Sequence, residues 1–174
     1  MHLQTPRLAI RPLTPDAVDP LASLWNDAEV TRYMGGPRDR AAVAASIRAA
    51  AEAPPRPYDL WPVYEKSTGR LAGHCGFLEK EVDGRAEIEL VYVIARDLWG
   101  RGYATEAAAA LRDHAFADLG VTRLIGLIEP GNTASARVAE KVGMVLERET
   151  VRPGGRAMQV WGIDFGSPAA TQRV

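Results

Sequence analysis

The chain has 174 residues, of which 47% are hydrophobic and 25% are charged, as is typical of one soluble globular domain. Its 21 basic and 22 acidic residues give a net charge of -1, so the whole chain has no charge excess that attracts nucleic acid or anionic lipid. Cys75 is the single cysteine, and His2, His74 and His114 are too dispersed for a zinc motif. No apolar run approaches the roughly 18 residues of a membrane span. We therefore expect a cytoplasmic protein with no metal, no nucleic-acid partner and no membrane anchor.

The first half of the chain predicts one strand and two helices. Residues 8–13 alternate apolar and basic side chains, which indicates a half-buried strand. Thr14, Pro15 and Asp16 are typical of a helix start, and the apolar spacing after them predicts a helix that ends at residues 34–37. A second helix is predicted over residues 40–52, and the prolines of residues 53–57 end it.

From residue 61 onward, the pattern changes to strands joined by short turns. Strands over residues 61–66, 71–82 and 86–95 predict an antiparallel meander. A helix over residues 103–118, a strand over 123–128, a helix over 135–142 and strands over 145–151 and 158–165 follow. These elements predict one α+β domain over residues 1–166, with a mixed, mostly antiparallel sheet and about four flanking helices. Residues 167–174 are predicted to form a frayed tail.

A loop with two glycines joins the last strand of the meander to the next helix. Gly100 and Gly102 remove side chains there, so unpaired backbone amides and the positive end of the helix dipole point to one place. An anion such as a pyrophosphate fits that place, and Arg101 either adds a charge or lies in solvent. Thr105 stands where a dinucleotide motif has its third glycine, and the lysine of a P-loop is absent.

Three segments of the chain, in order, match the pattern of one known family. They are residues 5–13 (T-P-R-L-A-I-R-P-L), residues 89–94 with 99–107 (E-L-V-Y-V-I and W-G-R-G-Y-A-T-E-A) and residues 132–144 (N-T-A-S-A-R-V-A-E-K-V-G-M). In these segments the chain resembles the GNAT N-acetyltransferases, and within them the ribosomal-protein N-terminal acetyltransferases. The resemblance implies a single-domain GNAT fold. It also implies an enzyme that transfers the acetyl group of acetyl-CoA to a primary amine by direct attack in a ternary complex.

The resemblance implies where acetyl-CoA binds. Amides of residues 100–105 hold the pyrophosphate, and the pantetheine arm pairs with the strand at residues 91–94. Asn132 holds the arm, unless it only stabilises its own turn. In the family, the central strands part at a bulge in this strand, which the sequence alone does not show. The implied cofactor-binding residues are Val91, Tyr92, Val93, Ile94, Trp99, Gly100, Arg101, Gly102, Tyr103, Ala104, Thr105, Asn132 and Ser135.

Two residues match the catalytic positions of the family. Glu89 is the implied general base, unless it faces solvent or pairs with an arginine, and Glu87 is the reserve on the same strand face. Ser135 is implied to donate a hydrogen bond or a proton to the departing sulfur, unless it only caps its helix. His74 is either a second base or a packed histidine, and Cys75 is expected to be a buried thiol.

The acceptor and two alternative functions stay open at this point. The resemblance favours the α-amine of a peptide or protein, with an amino-acid-like small molecule second; a homodimer is also compatible with the sequence. Residues 53–58 and 153–156 are expected to flank the acceptor, whereas Tyr58 and Trp61 either wall its pocket or anchor a loop. One alternative is a CoA-binding sensor or partner module without catalysis. The other is a nucleotide-binding oxidoreductase, which only the glycine pair suggests.

Overall fold

The structure, a computed structural model, describes residues 1–166, so the predicted tail over residues 167–174 lies outside the described residues. Within residues 1–166 there are eight strands and four α-helices. The strands are β1 (Leu3–Gln4), β2 (Leu8–Ile10), β3 (Leu60–Glu65), β4 (Leu71–Val82), β5 (Arg85–Ile94), β6 (Arg123–Ile128), β7 (Val145–Arg152) and β8 (Arg156–Asp164). The helices are α1 (Val18–Asn26), α2 (Arg40–Glu52), α3 (Tyr103–Ala117) and α4 (Thr133–Lys141), with short 3-10 turns at Pro15–Ala17 and Arg96–Leu98.

The eight strands form one mixed sheet in the order β1-β2-β3-β4-β5-β6-β8-β7. Every neighbouring pair is antiparallel except β5 and β6, which are parallel. The predicted α+β class, the antiparallel meander and the four helices are therefore confirmed. The short strand β1 carries too few residues to show a sequence pattern, and the sequence analysis missed it.

Helices cover both faces of the sheet, and β5 contributes alternate residues to the two layers. Leu90 and Ile94 pack in the cluster that contains Leu111 of α3. Val91 and Val93 pack in the cluster formed by α1 and α2. Because successive side chains of a strand point to opposite faces, β5 is the central strand between the two helical layers.

The first helix is shorter than predicted. It ends at Asn26 rather than at residues 34–37, because the carboxylate of Asp27 accepts hydrogen bonds from the amides of Glu29 (2.8 Å) and Val30 (3.2 Å). Such local bonds offer the backbone an alternative to the helix. The following residues form turns up to residue 36, and residues 29–34 come to lie beside the centre of the sheet.

The parallel pair β5 and β6 separates after a single point of pairing. Glu89 and Ile125 are the one registered pair between these strands, whereas β4 pairs with β5 without interruption from Gly73 and Ile94 to Val82 and Arg85. The bulge implied by the resemblance therefore produces no register shift between β4 and β5. From Glu89 to Ile94, one edge of β5 is free over about 16 Å, at about 3.3 Å per residue.

Candidate active site

A cavity of about 530 Å³ opens where β5 and β6 separate. Its walls are the end of β5, the loop and first turn of α3, the end of β6, one face of α4 and the turn at residues 29–34. The predicted site residues that line it are Glu89, Val91, Tyr92, Val93, Ile94, Trp99, Gly100, Gly102, Tyr103, Ala104, Thr105, Asn132 and Ser135. The structure thus brings together every predicted catalytic or cofactor residue except Arg101.

The start of α3 is open to a ligand. Gly100 and Gly102 have φ angles of +75° and +80°, a left-handed conformation that side chains disfavour. Gly102 is the N-cap of α3, and no side chain accepts a hydrogen bond there; the first helical bond runs from the Glu106 amide to the Gly102 carbonyl. The amides of residues 103–105 are therefore without helical partners at the positive end of the helix, as an anion site requires.

Arg7, in the N-terminal segment, contacts the glycine loop and the first turn of α3 without lining the cavity. The Arg7 guanidinium donates to Glu106 Oε2 (2.6 Å) and to the carbonyl of Arg101 (2.8 Å), and it lies 4.7 Å from the centre of the Tyr103 ring. Glu106 also accepts from the Arg7 amide and from the hydroxyl of Thr5. Burial alone would raise the pKa of Glu106, but these hydrogen bonds outweigh it and lower the pKa. The sequence analysis missed these contacts because 99 residues separate Arg7 from Glu106.

Of the two alternatives for the Arg101 side chain, a charge at the anion site or a solvated position, the structure favours the second. Its guanidinium lies 3.9 Å from Glu65, and the residue is not among those that line the cavity. The implied contact of Arg101 with the cofactor is therefore limited to its backbone, and it stays a prediction. Three other cations line the cavity instead: Arg32 in the turn at residues 29–34, and Arg137 and Lys141 on α4.

The free edge of β5 presents the backbone of alternate residues. Because the Ala95 amide donates to the Ala72 carbonyl and the β4–β5 register is unbroken, odd-numbered residues of β5 direct their backbone groups toward β4. Val91 and Val93 therefore line the cavity with side chains only, which corrects the expectation that their backbone pairs with a ligand. Tyr92 and Ile94 point their backbone into the gap, where the Trp99 indole already donates to the Ile94 carbonyl (2.8 Å).

Glu89 lies at the floor of the gap, where β5 and β6 meet. Burial raises the pKa of its carboxyl, and the charges of Lys80 and Arg152 and the amide of Leu127 oppose the rise. Lys80 Nζ lies 3.9 Å from the carboxylate. A largely buried carboxylate with a raised pKa at the end of a cleft is suited to accept a proton.

Glu87 and His74, the two alternative bases, contact other side chains and do not line the cavity. Glu87 is buried, pairs with Arg123 at 3.2 Å and does not line the cavity. His74 is buried, and its Nδ1 accepts from the Trp25 indole (3.0 Å). Burial lowers the pKa of His74 to about 4, so the ring is a neutral packing group. Cys75 is buried as expected, and burial raises its pKa to about 12.

The start of α4 forms the opposite wall of the gap. Asn132 is the N-cap, and its side chain accepts from the Ser135 amide (3.2 Å). Ser135 is therefore not the cap, which removes the structural alternative for its hydroxyl. Tyr92 reaches across the gap and donates to the Ser135 carbonyl (2.9 Å); burial raises the pKa of this phenol, so it stays protonated at neutral pH.

The expected flanks of the acceptor are corrected in part. Tyr58 and Trp61 pack edge-on against Phe77, and neither they nor residues 53–57 line the cavity, so they anchor a loop. The turn at residues 29–34 takes the place that residues 53–58 were predicted to take. At the other expected flank, Arg156 forms an ion pair with Glu129, which does line the cavity.

Within residues 1–166, no group of three or more histidine, cysteine or acidic side chains is placed to hold a metal ion. No helix in this range is long and apolar enough to cross a bilayer.

Comparison with known proteins gives consistent matches. The sequence profile of the Acetyltransferase (GNAT) domain matches residues 7–145. Uncharacterized protein YkkB of Bacillus subtilis (strain 168) is 34% identical over 140 residues, 79% of this chain and 80% of that protein. Uncharacterized N-acetyltransferase p20 of Bacillus licheniformis is 30% identical over 171 residues, 91% of this chain and 92% of that protein. A crystal structure of a GNAT-family acetyltransferase from Bacillus anthracis superimposes with a TM-score of 0.81 at 25% identity, covering 94% of this chain and 98% of that one.

Proposed function

Because the chain belongs to the GNAT acetyltransferase family, we propose that it transfers the acetyl group of acetyl-CoA to a primary amine, by direct attack in a ternary complex. The observation that carries this proposal is the continuous path in the cavity. It runs from the open amides of α3, along the free edge of β5, to the carboxylate of Glu89. Within the family, the motifs at residues 5–13, 89–107 and 132–144 favour the ribosomal-protein N-terminal acetyltransferases.

The residues along this path match the chemical groups of coenzyme A. The amides of residues 103–105 and the backbone of Gly100 and Gly102 suit a diphosphate. The amide and carbonyl of Tyr92 and the amide of Ile94 suit the peptide-like bonds of a pantetheine arm, as an added strand would. The Asn132 side-chain amide lies at the same gap and can donate to the arm while its oxygen caps α4.

Glu89 and Ser135 act on the two ends of the acetyl transfer. Glu89 takes the proton of the attacking amine, directly or through water, as the new nitrogen–carbon bond forms. The carbon–sulfur bond breaks, the hydroxyl of Ser135 donates a hydrogen bond to the departing thiolate, and the thiolate takes its proton from solvent. Tyr92 fixes the backbone of Ser135 from across the gap, so the donor is held at the strand that carries the thioester.

The acceptor we propose is an α-amine of a peptide or protein, with an amino-acid-like small molecule second. An α-amine has a reference pKa of about 7.7 to 8.0, against about 10.4 for lysine, so a tenth or more of it is neutral at pH 7. A single carboxylate base suits such an acceptor. We assign the acceptor to the side of the cavity between Glu89 and the turn at residues 29–34. The carboxylates of Glu29 and Glu89 line this side and suit a cationic amine, although the turn also contributes the cation of Arg32.

The oxidoreductase alternative loses its structural basis. A dinucleotide fold needs parallel strands linked by crossovers, whereas β3, β4 and β5, which precede the glycine loop, are antiparallel neighbours. A CoA-binding module without catalysis differs from the proposed enzyme only in turnover.

The experiment is a titration of acetyl-CoA by calorimetry followed by an acceptor panel read by thiol release. The panel contains peptides with free N-termini, N-blocked peptides with a lysine, and small amines. We expect binding of acetyl-CoA and fastest thiol release with free N-termini. Release with lysine peptides or polyamines alone contradicts the α-amine acceptor, and binding without any turnover supports the sensor module.

A further inference from the structure

Two basic residues on α4 face the cavity and have no function in the proposal above. Arg137 and Lys141 lie four residues apart on one face of the helix, and both line the cavity together with Ala134 and Val138. Side chains at this spacing are neighbours on a helix surface. Within the part of the chain that the structure describes, neither residue has a carboxylate within 4 Å.

The other basic residues around the glycine loop are occupied. Arg7 is paired with Glu106, and Arg101 is turned toward Glu65. No basic side chain of the glycine loop lines the cavity, so backbone amides attract anions at the α3 start, while Arg137 and Lys141 line the cavity from α4 and Arg32 lines it from the turn at residues 29–34. The cavity thus has two separate features that attract anions, one made of amides and one of cations.

A ligand that satisfies both features carries two separate anionic groups. The α3 start suits the diphosphate, because amide groups of a helix N-terminus match bridging phosphates without a counter-charge. Two neighbouring cations suit a phosphate monoester, which carries the higher charge per phosphorus and accepts charge-assisted hydrogen bonds. Coenzyme A has both groups: its diphosphate and the 3′-phosphate on the ribose.

We propose that Arg137 and Lys141 form a second anion site that binds the 3′-phosphate of coenzyme A and lets the protein select coenzyme A over its dephosphorylated form. This inference rests on the proposed function, because it assigns a further part of the same ligand. The cavity extends along α4 to Lys141, about two helical turns beyond the cap at Asn132, so it reaches past the residues proposed to hold the pantetheine arm.

The test compares the dissociation constants of coenzyme A and dephospho-coenzyme A, which differ only in the 3′-phosphate, by calorimetry with the full chain. We expect the wild type to bind coenzyme A about tenfold more tightly, the effect of roughly one hydrogen bond to a charged group. The preference should shrink as salt is raised, because both cations are exposed.

The matching variant is R137Q/K141Q, for which the two dissociation constants should become equal while dephospho-coenzyme A binds as it does to the wild type. Its control, R40Q/R48Q, removes the same charge from exposed positions of α2 outside the cavity and should keep the tenfold preference. All variants are compared by thermal melting, so that a folding defect is seen separately.

The outcomes separate the inference from the proposed function. Equal affinity of the wild type for both ligands, or an unchanged preference in R137Q/K141Q, overturns the second anion site and leaves acetyl transfer intact. Failure of the wild type to bind either ligand overturns both proposals.

Discussion

Helices α3 and α4 both begin at the cleft between β5 and β6, but only α4 has a side chain that accepts a hydrogen bond from one of its first amides. The N-cap of α4 is Asn132, whose side chain accepts from the Ser135 amide. The N-cap of α3 is Gly102, which has no side chain to accept a hydrogen bond. The difference shows how one residue at the cap decides whether a helix start is closed by its own chain or left open for an anion.

Blocking the start of α3 with a side chain should have the largest effect on the binding of acetyl-CoA. Gly102→Val places a β-branched side chain at φ +80°, with its Cβ 3.4 Å from Arg7 Nη2, and crowds the diphosphate. Acetyl-CoA at about 100 times its dissociation constant should stabilise the wild type by roughly 2.7 kcal/mol, and the variant should lose most of that gain. Thermal melting with and without acetyl-CoA measures it.

Gly84→Val is the matched control for this substitution. Gly84 has φ +74° in the β4–β5 turn, far from the cavity, so its substitution strains the backbone in the same way. The control should lower the melting temperature but keep the full shift with acetyl-CoA. A Gly102→Val protein that keeps the full shift would show that the diphosphate binds elsewhere.

Removing the base at the far end of the path should slow turnover without weakening binding. Glu89→Gln is expected to lower kcat by about 10²-fold, the low end for a general base. Because burial raises the pKa of Glu89, its carboxylate takes up a proton at a higher pH than an ordinary glutamate as the pH falls. Wild-type activity should therefore fall on the acid side, and high pH should partly restore the variant by deprotonating the amine.

The companion variant Glu87→Gln removes the neighbouring carboxylate on the same strand face. Glu87 pairs with Arg123 outside the cavity, so its loss should reduce stability and leave kcat close to that of the wild type. Rate assays against pH, together with thermal melting, distinguish the two residues. Equal losses of kcat in both variants would argue against Glu89 as the specific base.

Weakening the contacts of Arg7 with the loop before α3 should have a smaller effect on the binding of acetyl-CoA than blocking the start of α3. Arg7→Lys keeps the charge but cannot make both bonds of the guanidinium, to Glu106 and to the Arg101 carbonyl. We expect the dissociation constant of acetyl-CoA to rise about tenfold with kcat unchanged at saturation. Arg11→Lys, which alters an arginine stacked at 5.1 Å on Tyr64 away from the loop, should change neither value.

Removing the side-chain cap at the start of α4 should have the smallest effect of these substitutions. Asn132→Ala removes the cap of α4 and should cost about 1 kcal/mol of unfolding free energy. Asn132→Asp keeps the cap and should keep most of the stability, but it lacks the side-chain amide proposed to hold the pantetheine arm. Denaturant melts and calorimetry with acetyl-CoA separate the roles: equal binding by Asn132→Asp and wild type leaves Asn132 with a capping role only.

The sequence predicted the open helix start well because its cause is local. Gly100 and Gly102 act through backbone freedom at their own positions, and the apolar periodicity of the flanking strand and helix is visible in a short window. The predicted start of α2 at residue 40 also has a local cause, because the Asp39 side chain accepts from the Ala42 amide.

The features that the sequence analysis missed, left open or assigned wrongly depend on distant partners. The direction of the Arg101 side chain is set by Glu65, and the support of the loop comes from Arg7, neither of which is near in sequence to α3. The register between β4 and β5 decides which β5 residues direct their backbone groups into the cavity. A shift of one residue would exchange the two sets of residues. Only the folded arrangement fixes these features.

Hydrogen exchange with and without acetyl-CoA tests the central claim most directly. When acetyl-CoA is added, we expect slower exchange at the amides of Tyr103, Ala104 and Thr105 and at those of Tyr92 and Ile94. The amide of Ser135, which Asn132 already satisfies, should change least among the amides at the cleft. Protection at the start of α4 with no change at the start of α3 would contradict binding of the diphosphate to the α3 amides.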